Sequence, residues 1–290
     1  MNSDSTVIRW LLEDNNPAIQ YRCRTELLGE KADKQAIIAY VESFLPENWR
    51  EAKGLWFTYY LNAIVECGLT AEHIAIPQEK ALRSLQNEVF DFACGDFMRL
   101  RALVMLGYGG EPAVAARLAA LKPRQLPDGG FLCLHRLDKM KYTPKSCVKS
   151  NNLALLLCAE CHKRGVALDI VDDLLAYYWA HNLFYKTADL SALILQAREG
   201  WRTVDTFYPF EVMRVGLQNM VEAFSALGYG SDNRLHEAWE LLDSRKNDSG
   251  QYGLDRTLTK SYLPKERAGK PSKWVTFYAL LAQKNREITG

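Results

Sequence analysis

Apolar residues recur at helical spacing along most of the chain. In segment 55–67, Trp56, Tyr59 and Tyr60 follow the i, i+3, i+4 pattern that places side chains on one helix face. No stretch shows the apolar–polar alternation of a half-buried strand. The pattern therefore predicts an all-α protein, with helices over 7–13, 17–28, 32–44, 55–67, 77–89, 97–106, 112–121, 146–163, 168–180, 210–227, 233–243 and 272–284.

A second feature is an internal duplication with a period of about 120 residues. Each copy contains a Leu-Gly-Tyr-Gly segment, a polar glycine turn and then an apolar helix. In the first copy these lie at 106–110, 128–131 and 146–148, and in the second at 227–231, 248–252 and 272–275. This alignment pairs Ser146-Cys147 with Ser272-Lys273. Because such units bury their apolar faces against neighbours, we predict one helical-repeat domain over 1–290, with N-terminal hairpins in 1–90 and the two copies in 95–285.

Composition narrows the classes of partner. The chain has 36 basic and 35 acidic residues, so its formal net charge of +1 argues against a nucleic-acid-binding surface. The longest apolar run, 153–159, is far shorter than the roughly 20 residues that span a bilayer. The N-terminus does not resemble a secretory signal. An odd number of cysteines, seven, is typical of a reducing compartment, so we predict a cytoplasmic protein without a membrane span.

The turn Asp128-Gly129-Gly130-Phe131, followed by Ser146-Cys147-Val148 and the apolar run after Asn152, resembles the repeat of the prenyltransferase and squalene-cyclase superfamily. The second copy matches this repeat more loosely. The resemblance implies an α/α-toroid of about five to six helical hairpins, with inner helices that line a central cavity. The segment 14–28 also resembles a HEAT-type unit, so an open α-solenoid is the alternative architecture.

The catalytic motifs of that superfamily are incomplete here. The DxDD motif of the cyclases is absent, and we interpret Asp172-Asp173 as residues of a helix start. Cys147 stands where the prenyltransferases place a zinc-binding cysteine, but Lys145 stands where their aspartate belongs. We therefore expect no cofactor. A zinc site that combines Cys133, His135 and Cys147 is left open.

Several residues are candidates for a ligand site. Arg136 and Lys139 resemble the family's diphosphate-binding pair of basic residues, but they are shifted by two residues. Aromatic clusters that include Tyr208 and Trp274 could line an apolar cavity, although the same spacing also suits helix packing. Cys158 and Cys161 lie in an apolar stretch and are interpreted as core residues. The full set of candidate ligand-binding residues is Phe131, Arg136, Lys139, Cys147, Tyr208 and Trp274.

Two functional hypotheses follow from these observations. The first is a prenyltransferase-like protein that binds a small hydrophobic, isoprenoid-like ligand in a central cavity. The second is a non-catalytic helical-repeat module that binds a protein partner. Motifs of kinases, dinucleotide-binding proteins and serine hydrolases are absent, and the sequence leaves open whether the chain is an enzyme.

Overall fold

The computed structural model describes residues 5–87, 94–132, 146–186, 190, 192–194, 202–209, 214–257 and 266–289. The described residues form helices joined by turns, and their only β-structure consists of isolated bridges, such as Lys246 with Tyr252. The predicted all-α class is confirmed. The described part of the chain contains no helix with the length and apolarity needed to cross a bilayer.

The α-helices follow the predicted order, with shifts of a few residues at their ends. They are α1 (Thr6–Leu11), α2 (Pro17–Arg22), α3 (Gln35–Phe44), α4 (Gly54–Glu66), α5 (Gln78–Asn87), α6 (Cys94–Leu103), α7 (Pro112–Ala119), α8 (Val148–Lys163), α9 (Val171–Ala180), α10 (Leu217–Ala226), α11 (His236–Asp243) and α12 (Lys273–Thr289). Helices α2 and α6 each continue into a π-helical turn, at Cys23–Leu28 and Val104–Tyr108.

The predicted start of α10 at residue 210 is too early for the residues that the structure describes. Residues 214–216 are not helical, and α10 begins at Leu217. The reason is a competing hydrogen bond, because the backbone N–H of Leu217 donates to the carbonyl of Asp205 at 3.0 Å. The side chain of Gln218 also holds the preceding chain, since its amide donates to the Phe207 carbonyl at 2.6 Å.

The chain divides into two compact units. The terminal unit combines Met1–Ala75 with Thr203–Gly290, and the middle unit consists of Ile76–Arg202. The first unit boundary lies after Ala75, and the single helical-repeat domain over 1–290 stays a prediction. Each copy of the duplication therefore belongs to a different unit, with α6 and α8 packed together in the middle unit and α10 and α12 packed together in the terminal unit.

The two glycine turns share one hydrogen-bond pattern. In the first copy the N–H of Gly129 donates to the Leu126 carbonyl, and the N–H of Leu126 donates to the Gly130 carbonyl, both at 2.8 Å. In the second copy the N–H of Gly250 donates to Asn247, and the N–H of Asn247 donates to Gln251, both at 2.9 Å. Gly129 and Gly250 occupy the left-handed region with φ of 86° and 79°, so this position favours glycine.

The residue after each turn is held by a side chain of the following helix. The backbone N–H of Phe131 donates to Oδ1 of Asn151, and that of Tyr252 donates to Oγ1 of Thr276, each at 2.8 Å. The carbonyls of the same aromatic residues accept from the N–H groups of Cys147, at 2.7 Å, and Ser272, at 2.9 Å.

These bonds set the structural register between the copies. Cys147 corresponds to Ser272, since each donates its backbone N–H to the aromatic residue of its turn. The pairing of Cys147 with Lys273 in the sequence alignment was therefore wrong by one residue. The connection between turn and helix is longer in the second copy, and sequence similarity alone did not place that insertion.

Candidate functional site

The N-terminal end of α8 positions a cysteine in the middle unit. Cys147 is the N-cap residue of this helix of 16 residues, and its side chain is half-buried. The first backbone N–H groups of a helix lack intrahelical partners and carry the positive end of the helix dipole. None makes a hydrogen bond of ordinary geometry to the Cys147 side chain, but those of Lys149 and Ser150 are close enough to favour a negative sulfur.

A second cysteine lies beside the first. Cys94 is the first residue of α6, which packs against α8, and only 4% of its surface is exposed. Its sulfur lies 3.4 Å from Oγ of Ser150, in the first turn of α8. Its thiol also lies close enough to Cys147 to lower the pKa of that residue. We call Cys94, Cys147 and Ser150 the thiol site.

The thiol site favours the thiolate form of Cys147. The hydrogen bond from Cys94 lowers the pKa of Cys147 most strongly, burial opposes this effect, and the N–H groups of Ser150 and Lys149 lower the pKa further. Together they bring the pKa of this thiol to about 5. A thiolate is the nucleophilic form of cysteine, and a pKa of about 5 favours this form of Cys147 at neutral pH.

The glycine turn and α9 border this site. Ser146 donates its hydroxyl to Asp128 at 2.5 Å, which ties the chain before Cys147 to the turn. Phe131 is buried and packs edge-to-face on Phe97, with ring centroids 4.9 Å apart. Burial raises the pKa of Tyr177 on α9 to about 12, and the negative charges of Asp128 and Cys147 add to this rise. Tyr177 is therefore a neutral phenol at physiological pH.

Other described cysteines differ from Cys147. Burial raises the pKa of Cys23 to about 11 and that of Cys161 to about 12. Burial also raises the pKa values of Cys67 and Cys158. The interpretation of Cys158 and Cys161 as core residues is confirmed by their burial. These thiols are protonated at neutral pH and are poor nucleophiles.

The sequence-predicted site residues fall into separate groups. Phe131 and Cys147 lie in the middle unit and are joined by the backbone bond described above. Tyr208 and Trp274 lie in the terminal unit, where both are fully buried, and burial raises the pKa of the Tyr208 hydroxyl. Arg136 and Lys139 lie outside the described residues.

The predicted zinc site includes residues that lie outside the described part of the chain. Cys133 and His135 are among these, so the split zinc site stays an open prediction. Within the described ranges, no group of three or more His, Cys, Asp or Glu side chains could hold a metal ion. Asp172 and Asp173 lie in the first turn of α9, as predicted, and Asp173 pairs with Lys122.

Sequence reasoning missed a buried ionic network in the terminal unit. The guanidinium of Arg22 lies 2.5 Å from a carboxylate oxygen of Glu26 and 3.5 Å from one of Glu66. Tyr278 on α12 accepts from Arg22 at 2.9 Å and contacts Glu66 through its hydroxyl. The Arg22 side chain also lies over the Phe277 ring, 4.5 Å from its centroid. This network joins α2, α4 and α12, and it satisfies a charge that burial would otherwise make costly.

Cys94 was missed as well, because its partner is 53 positions further along the chain. The sequence signal that could have found it is a cysteine shortly before an apolar helix, the same context as that of Cys147. The pairing itself depends on how α6 packs on α8.

No known family model matches the chain, and no curated protein matches it. One solved structure, a polysaccharide lyase, is similar with a TM-score of 0.48 and 12% sequence identity, over 97% of this chain and 87% of that one. This similarity is too weak to support a fold family or an activity. The toroid and the solenoid therefore both stay predictions, as does the resemblance to the prenyltransferases.

Proposed function

We propose that this chain is a thiol-dependent protein in which Cys147 acts as a nucleophile toward an electrophilic small molecule. The observation that supports the proposal is the position of its sulfur, which is half-buried at the N-terminal end of α8 and beside the thiol of Cys94. Helix N-termini and neighbouring hydrogen-bond donors are the settings in which reactive thiolates occur.

The proposed chemistry is a nucleophilic substitution at sulfur. An electron pair of the Cys147 thiolate forms a bond to the electrophilic carbon or sulfur atom, and the leaving group departs with the electrons of the broken bond. Before the attack, the Cys94 thiol and the first N–H groups of α8 stabilise the negative charge. Tyr177 remains protonated, so its hydroxyl can donate a hydrogen bond in this region.

The surroundings of the sulfur support an apolar substrate. The rings of Phe131 and Tyr177, on the turn and on α9, are buried, and neither carries a charge at neutral pH. This environment agrees with the hydrophobic, isoprenoid-like ligand expected from the sequence, which we keep as the proposed substrate class. A reducing location such as the cytoplasm belongs to the same proposal, since the described cysteines are free thiols.

The test is selective alkylation at about pH 6, where ordinary thiols are protonated. We expect limiting iodoacetamide to label Cys147 before the other cysteines, as measured by peptide mass mapping. Cys23 and Cys161 are internal controls, because burial raises their pKa values. Replacing Cys94 by Ala removes the donor, and we expect about tenfold slower labelling of Cys147 at pH 6, which corresponds to a rise of about two pKa units. Labelling of Cys147 no faster than that of the controls would contradict the proposal.

A further inference from the structure

We infer that Cys94 and Cys147 form a reversible disulfide, with Cys147 as the attacking thiol and Cys94 as the resolving thiol. This inference rests on the proposed nucleophilicity of Cys147 and adds a substrate class, namely a small-molecule disulfide. It differs from attack on an electrophilic carbon because it requires a second, correctly placed thiol.

The geometry provides that second thiol. The sulfur of Cys94 lies 3.4 Å from Oγ of Ser150, one helical turn after Cys147 on α8, and a disulfide would bring the two sulfurs to about 2.05 Å. Both cysteines lie at the starts of α-helices, α6 and α8, which pack against each other and hold the residues in place. The other described cysteines are free thiols as well, but burial keeps them protonated.

The two thiols also have the unequal properties that the reaction needs. Cys147 is half-buried and is reached first by a reagent, whereas Cys94 is 4% exposed and is shielded from it. In disulfide exchange, the thiol with the larger thiolate fraction attacks first, and a thiol with a low pKa is a good leaving group. The same properties make a disulfide at Cys147 easy to reduce, so the pair should cycle under mildly oxidising conditions.

The reaction balances as a two-electron exchange. The Cys147 thiolate attacks one sulfur of the disulfide RSSR, forms a mixed disulfide and expels RS⁻. Cys94 then loses its proton to water, and its sulfur attacks that of Cys147 and expels the second RS⁻. The two protein sulfurs are oxidised and RSSR is reduced to two RSH; one leaving thiolate takes up the proton that Cys94 releases, and the other takes up a proton from the solvent.

The experiment uses the full, reduced chain and oxidised glutathione as the probe. After quenching with acid, intact mass and peptide mapping identify the products. For the wild-type protein we expect the loss of two hydrogens and one cross-linked pair of peptides that contain Cys94 and Cys147. The Cys94→Ser variant should instead stop with one glutathione on Cys147. The Cys147→Ser variant should form no cross-link to Cys94 and gain no glutathione at that position.

The outcomes separate the two proposals. If wild-type protein keeps glutathione on Cys147, or links Cys147 to Cys133, the resolving role of Cys94 is wrong while the nucleophilic thiol stands. If Cys147 accepts no glutathione even in Cys94→Ser, the disulfide inference fails, and the labelling at about pH 6 decides the proposed function separately. The wild-type result does not depend on a variant, so a folding defect in either variant would leave the inference falsifiable.

Discussion

The two copies of the duplicated unit share a backbone framework but differ in its chemistry. In each copy a glycine in the left-handed region forms the turn. The aromatic residue after the turn accepts a hydrogen bond at its carbonyl from the residue just before the following helix. At the same helix position, the first copy has Cys147 beside the Cys94 thiol, and the second has Ser272 beside the Glu266 carboxylate. The shared bonds define the common backbone, and the two copies differ in the side chains placed on it.

A second contrast lies between the packed helices of each copy. In the first copy, Glu160 on α8 is buried and lies 3.9 Å from Arg101 on α6. At the matching positions of the second copy, Asn285 on α12 donates to Glu222 on α10 at 3.3 Å. One copy therefore holds a charged cluster where the other holds a hydrogen bond from a neutral amide, and stability should depend on pH differently in the two.

The largest expected effect distinguishes the two turn glycines. A Cβ added to Gly129 would lie 2.0 Å from the backbone oxygen of Asp173, whereas at Gly250 the nearest atom is Val7 Cβ at 3.5 Å. Both substitutions place a side chain at positive φ, which costs about 1–3 kcal/mol. We expect Gly129→Ala to lower the free energy of unfolding by more than about 4 kcal/mol, because a backbone atom must also move, and Gly250→Ala by only about 1 kcal/mol.

Urea denaturation of the two variants measures this difference. Equal losses would show that the close approach of the first turn to α9 does not constrain the fold.

The next effect concerns the Glu160 cluster. Burial alone would raise the pKa of Glu160, but Lys163, Arg101 and Arg164 outweigh it and lower the pKa to about 2. Because the folded pKa lies below the unfolded value, the stabilisation is complete above about pH 4.5 and is lost as pH falls toward 2. We expect Glu160→Gln to lower the free energy of unfolding by about 3 kcal/mol at neutral pH and by much less near pH 2.

Urea midpoints of wild type and Glu160→Gln across this pH range provide the measurement. Glu222→Gln is the control, because Glu222 belongs to the matching pair of the second copy and accepts a hydrogen bond from the neutral amide of Asn285. A cost of Glu160→Gln that does not change with pH would contradict the charge-based explanation.

The smallest effect on stability is expected when the first copy receives the residue that the second copy has at the same position. Cys147→Ser introduces the residue that the second copy has at this position, and serine is a good N-cap. We therefore expect the free energy of unfolding to change by less than about 1 kcal/mol while rapid labelling at about pH 6 is lost. Thermal unfolding and alkylation of the same preparation test both statements. A large loss of stability would mean that Cys147 is a structural residue.

Periodicity and turn chemistry predicted much of the fold. Apolar spacing located the helices, and the glycine turns marked the repeat, since a left-handed backbone position leaves a strong preference for glycine. The start of α10 was not predictable in this way, because it depends on a hydrogen bond between Leu217 and Asp205. Local patterns contain no information about which distant carbonyl will accept a given N–H.

The candidate site was predictable only in part. Cys147 was identified from its place after the glycine turn, but Cys94 and Tyr177 approach it through the packing of α6 and α9. Tyr208 and Trp274 were selected for aromatic spacing, which does not distinguish a cavity wall from a packed interior, and both are buried. Contacts between elements decide such roles, and they become visible only in three dimensions.

The most direct test of the central claim is the pH dependence of alkylation at Cys147 in the wild-type protein. The rate constant for that peptide, followed by mass spectrometry, should rise with a midpoint near pH 5 and stay level through neutral pH. A midpoint near that of an ordinary thiol, about 8.5, would contradict the account, because Cys147 would then be protonated at neutral pH and no better a nucleophile than any exposed cysteine.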